Sequence, residues 1–171
     1  MTALGGSLAC PFFMPTHVCS EPLWPHPQRL PLGAGYFGYC TADGNTSPEP
    51  GTRELRAPDA RQLKDCCNMG YARSCARLPQ DRTADANRFF VARAGNELIV
   101  TYCSERDHAP AGNGVLHFDP VVKQWAERHP NVCLQRQAEC AVESFLRRCA
   151  SNAAAATAAR DSHSHEAAAA K

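Results

Sequence analysis

Ten of the 171 residues are cysteines, and six of those fall in the first half of the chain. The densest run reads Asp65-Cys66-Cys67-Asn68-Met69-Gly70-Tyr71-Ala72-Arg73-Ser74-Cys75. Thiolates ligate soft metal ions and act as redox nucleophiles. In a reducing compartment such enrichment points to those uses rather than to disulfides. Ligation brings sulfurs to about 2.3 Å from a metal, commonly from turns whose amides face them. Cys10 precedes Pro11, Cys40 follows Gly35-Tyr36-Phe37-Gly38-Tyr39, and Cys67 and Cys75 bracket the turn between them. Cys10, Cys40, Cys67 and Cys75 are therefore the expected ligand set, because each lies beside residues that let the backbone bend. Cys19 and Cys66 are reserves, and Cys67 is preferred to Cys66 for its nearness to Gly70.

Spacing narrows the cofactor. Zinc ribbons and fingers pair cysteines two to four positions apart, and this chain has no such pair. The tight cysteine runs of ferredoxins are absent as well. Dispersed thiolates with a Cys-Pro step are compatible with an iron–sulfur cluster. A [4Fe–4S] centre for electron transfer or redox sensing is the expected cofactor and function. A structural zinc in an interaction module is the alternative. The third reading is a metal-free thiol enzyme, with Cys75 or Cys10 as nucleophile and His17, His26 or His108 as base. Arg73 and Arg77 flank Cys75 and would balance an anionic thiolate centre.

Free cysteine also serves as a small buried hydrophobe. Cys103 on a strand face and Cys149 on a helical stripe are expected in the core. Cys133 and Cys140, off that stripe, are expected as semi-exposed thiols. Glu105-Arg106-Asp107-His108 reads as a solvated loop, or else as a carboxylate and imidazole held near the thiols.

Lysine and arginine total 18 against 17 aspartates and glutamates, a net charge of +1. No clustered basic excess suits nucleic acid. No stretch approaches the roughly 20 apolar residues of a membrane span. Met1 to Ala9 lacks the basic start of a secretory signal. The expectation is a cytoplasmic protein with no nucleic-acid or membrane partner, handing electrons to a redox protein.

The elements that must position these thiols form an α+β fold. A Cys/Pro-rich irregular N-terminal half, residues 1–80, packs on a three-stranded antiparallel sheet with a C-terminal helix, residues 81–150. A low-complexity Ala-rich tail, residues 151–171, follows and is expected to fray. Prolines 11, 15, 22, 25, 27 and 31 argue against helix and central strand early in the chain. Residues 43–52 read as an exposed loop. Asp59 after Pro58 is an N-cap, opening a helix to about Cys67.

Gly95-Asn96 between two alternating apolar runs signals a hairpin. It sets Val91 opposite Val100 and Phe89 opposite Tyr102. Phe90, Ala92, Ile99 and Cys103 fall on the other face, which the Pro-rich half is expected to cover. Gly114 to Asp119 is the third strand, and Asp119-Pro120 opens a short helix carrying Val121, Val122 and Trp125. Asn131 to Cys149 is a helix with its stripe at Leu134, Ala138, Ala141, Val142, Phe145 and Cys149.

Overall fold

Two antiparallel sheets share one long helix in the computed structural model, which describes residues 8–42 and 57–169. The expected 43–52 loop lies outside the described residues. The chain forms β1 (Phe13–Val18), β2 (Tyr36–Cys40) and a single helical turn α1 (Ala60–Gln62). Then come β3 (Ala86–Ala94), β4 (Glu97–Arg106), β5 (Ala109–Asp119), β6 (Gln124–Trp125) and α2 (Val132–Ala169). β1 pairs with β2, and the second sheet runs β3-β4-β5-β6. The architecture is thus mixed helix and sheet with a C-terminal helix, but the main sheet has four strands and the N-terminal half a two-stranded sheet of its own.

Local chemistry explains most of the second sheet. Gly95, at φ +60°, makes the hairpin turn, and β3 and β4 pair with Val91 against Val100 and Phe89 against Tyr102. Only a residue free of a Cβ adopts that φ cheaply. The next connection is tighter than expected. Glu105-Arg106-Asp107-His108 is no loose loop: Asp107 and His108 turn at φ 49° and 63°, so β5 begins at Ala109 rather than Gly114. Asp119 caps no helix. Its carboxylate accepts the amides of Val121 and Val122 at 2.7 and 3.1 Å, closing a turn that leads into β6. Val121 is 79 % exposed, so nothing there could have supported a helix.

The inner sheet face packs Leu98, Val100 and Leu116 against Leu134, Ala138 and Val142 of α2. The outer face is open, contrary to expectation, with Phe90 68 % exposed. The Pro-rich half packs elsewhere, on a second stripe of α2. Cys133, Gln137, Cys140 and Ser144 are all buried. Their spacing of three and four places them on one helical face beside the apolar stripe. Cys133 and Cys140 are therefore core thiols, not semi-exposed ones, whereas Cys149 lies past the packed region and is exposed. Cys103 is half-buried on the outer face.

The N-terminal half is less irregular than its prolines suggest. Pro15 enters β1 because a strand in a two-stranded sheet keeps one free edge, and the register shifts between Pro15 and His17. Gly38 lets the strands approach, since a Cβ there would lie 2.1 Å from the Met14 carbonyl oxygen. α2 runs on through the tail beyond Ala150 to Ala169.

Candidate metal centre

The thiols of the N-terminal half are carried by several kinds of local structure. Cys10 stands at a turn closed by the Phe13 amide on its carbonyl, at 3.1 Å. Cys40 ends β2 directly across from Phe13. Asp59 caps α1 through a reciprocal pair: its carboxylate accepts the Gln62 amide, and the Gln62 side chain accepts the Asp59 amide. The next residues, Leu63–Cys67, widen into a π-type turn, with the Asn68 amide reaching the Leu63 carbonyl at 3.2 Å. A widened turn rotates successive side chains by less than the 100° of an α-helix. Cys66 and Cys67 consequently both face inward and are both buried.

Cys10, Cys40, Cys66, Cys67 and Cys75 line one small pocket together with Phe12, Phe13 and Leu78. The four expected ligands converge on it, and the reserve Cys66 joins them. Cys19 does not; its thiol points to the Glu21 carbonyl at 3.8 Å. The free space at the centre is about 10 Å³. Among the described residues, no three or more Cys, His, Asp or Glu side chains are closed around a single point as they stand.

The pocket is soft and apolar. Arg77 is on its wall, and among the described residues no histidine or carboxylate lines it. Arg73 is exposed. The histidines weighed as bases lie elsewhere. His17 tilts against Phe37 with ring centroids 5.1 Å apart, His26 is exposed, and His108 stacks on Tyr71 at 4.2 Å. The charged cluster is likewise away from the thiols. It clasps the turn at Tyr71, whose hydroxyl donates to Glu105 at 2.8 Å and accepts the His108 amide at 3.0 Å.

Burial pushes the Cys10 thiol up to about 12, and the neighbouring sulfurs of Cys40, Cys75 and Cys66 add to the rise. Burial also raises Cys67 strongly, with Cys10, Cys40, Cys75 and Cys66 adding to it. Crowded, desolvated sulfurs resist acquiring negative charge. Without a cation these thiols hold their protons at neutral pH, and a bound metal must displace them.

Buried amides fix the frame. The Asn68 side chain accepts the Tyr36 amide at 2.8 Å and donates to the carbonyls of Tyr36 and Leu63 at 3.0 and 3.1 Å, tying the π-type turn to β2. Gln137, wholly buried, donates to the carbonyls of Cys10 and Phe13, both at 2.8 Å, and accepts from Asn87 at 3.0 Å. Cys133 donates to the same Phe13 carbonyl at 3.0 Å. Sequence reasoning missed Gln137; its one signal was a polar residue four positions from Cys133 and three from Cys140.

Gly70 and Gly38 approach backbone and rings rather than sulfurs. The Gly70 amide donates to the Leu8 carbonyl, and a Cβ on Gly70 would meet Ala86. Compared with known proteins, the chain matches no family model, no curated protein and no solved structure. Among the described residues no helix is long and apolar enough to cross a membrane.

Proposed function

We propose that the thiol pocket holds an iron–sulfur cluster on Cys10, Cys40, Cys67 and Cys75, serving electron transfer or redox sensing. The convergence of these thiols from three separate stretches of chain carries the reading. Cys133 and Cys140, buried on α2, do not line the pocket. The donor set contains only sulfur, which suits iron–sulfur chemistry. Thiolates around one tetrahedral ion stand about 4 Å apart, at metal–sulfur bonds of about 2.3 Å. Sulfurs that share a pocket without closing on one point suit a larger centre.

Such a cluster would supply one-electron chemistry. The chain's own residues would bind it, keep water away with Phe12, Phe13 and Leu78, and set its charge balance with Arg77. A redox protein is the partner that function requires. The second reading, a structural zinc, draws on the central space of about 10 Å³. That space is nearer the size of one ion than of a cluster, which would need the apolar walls to spread.

Anaerobic purification followed by iron, zinc and sulfide analysis decides between them. Iron and sulfide in equal amounts, with absorption near 400 nm, is the expected result. One zinc per chain and no colour would establish the second reading instead.

A further inference from the structure

Five thiols line a pocket whose proposed centre uses four, and the surplus one, Cys66, shares that pocket with Cys75. The two differ in access: Cys66 is buried, while Cys75 is half-buried. The chain between them is already folded back. The Cys75 amide bonds the Ala72 carbonyl at 2.9 Å, and the Met69 amide bonds the Cys66 carbonyl at 3.1 Å. Bringing these sulfurs together costs no loop closure that the fold has not already made. Of the pocket's other thiols, Cys10 and Cys67 are buried, and the half-buried Cys40 ends β2 on a separate stretch of chain.

The geometry points to a dithiol modification site, Cys66 with Cys75, that reacts with low-molecular-weight disulfides such as oxidised glutathione. The accessible Cys75 sulfur attacks the small disulfide, forming a protein–glutathione mixed disulfide and releasing one thiol, which takes up the Cys75 proton. Cys66 then attacks the Cys75 sulfur, releasing the second thiol with the Cys66 proton. One S–S bond is consumed and one formed, and two electrons pass to the small disulfide. Cys75 cannot then ligate a metal. The pair therefore sets oxidation and metal loading against each other at one residue, a consequence that rests on the cluster reading. The dithiol itself rests only on the placement of the two sulfurs.

The test uses the full chain, stripped of metal by a chelator under anaerobic conditions and then exposed to oxidised glutathione. Free thiols are alkylated and tryptic peptides read by mass spectrometry. Cleavage after Lys64, Arg73 and Arg77 puts Cys66 and Cys67 on one peptide and Cys75 on another. A linked Asp65–Arg73/Ser74–Arg77 pair is expected in wild type and in Cys67→Ser. Cys66→Ser should abolish the link and leave glutathione on Cys75.

Stable glutathione on Cys75 in the wild type, or a link that survives Cys66→Ser and disappears in Cys67→Ser, would overturn the assignment. Because these outcomes are read on metal-free protein, they stand apart from whether iron binds. In metal-loaded protein the linked pair should fall at least about tenfold if Cys75 is a ligand. Linkage unchanged by loading would count against Cys75 as a ligand, leaving the dithiol intact.

Discussion

The sheet of β3 to β6 and the Cys/Pro-rich half pack on adjoining faces of α2, and the two faces differ in kind. Toward the sheet, α2 presents Leu134, Ala138 and Val142, and the contact is side chain on side chain. Toward the other half it presents Cys133, Gln137 and Ser144, which reach backbone carbonyls of Phe13, Cys10 and Leu32. The sheet satisfies its own backbone through strand pairing, so only apolar area remains to be covered. Proline-interrupted chain cannot, and its buried carbonyls need donors from outside. A helix serving both carries one apolar stripe and one polar but buried stripe. The lesson is that a polar helical residue can belong to the core when the neighbour is irregular chain.

The largest effect should come from the thiols. Cys67→Ser is expected to reduce bound metal at least about tenfold by elemental analysis, because ligand loss removes metal and the order it imposes. Cys103→Ser and Cys149→Ser should retain the full metal content. Equal losses at all three positions would erase the distinction between pocket and scattered thiols.

Core truncations sharpen the comparison next. Leu98→Ala in the sheet core should cost about 2–5 kcal/mol in urea unfolding while leaving metal per folded chain unchanged. Gln137→Leu keeps volume but removes one of the donors to each of two carbonyls and leaves the Asn87 amide without its acceptor, at a cost of about 1–3 kcal/mol. Unlike Leu98→Ala, it should also slow metal loading, since Cys10 loses its anchor. Loading at the wild-type rate would make Gln137 structural only.

Alkaline pH separates the halves more gently. Cys10, Cys133 and Cys140 are raised from an ordinary 9.0 to about 12 by burial. A thiol with a raised folded value stabilises the fold fully below pH 9, and that contribution is lost as pH climbs toward 12. Metal-free protein should therefore lose stability steadily above pH 9 in denaturant titrations. Loaded protein should lose less, because a ligated Cys10 has no proton left to release. Metal affinity should run the other way, rising with pH as the displaced protons become easier to remove.

The smallest effects belong to the open surfaces. Phe90→Ser should shift stability by no more than about 0.5 kcal/mol, because the side chain is 68 % exposed. Deleting the chain beyond Ala150 should change neither melting temperature nor metal content, since Ser151–Ala155 and Thr157 are exposed. A loss at either position would reveal a contact that this packing does not contain.

Local signals in the sequence determined the β3–β4 hairpin and its register, the Asp59 cap, and the apolar stripe of α2. Each depends on residues within a turn or a strand length of one another: Gly95 for positive φ, Gln62 answering Asp59, aliphatics at three- and four-residue spacing. Cysteine neighbours pointed to Cys10, Cys40, Cys67 and Cys75, which line one pocket, but left Cys66, which lines it too, as a reserve. Tertiary structure decided the rest. Cys66 turns inward because a π-type turn replaces the α-helical rotation. The Glu105–His108 turn is held by Tyr71, thirty-four positions before Glu105. Cys133 and Gln137 are buried where they donate to carbonyls of Cys10 and Phe13, more than a hundred residues earlier. Period and propensity report what a segment can do alone. They do not report which distant backbone will lie against it, and that placement fixes whether a polar side chain meets water or an unpaired carbonyl.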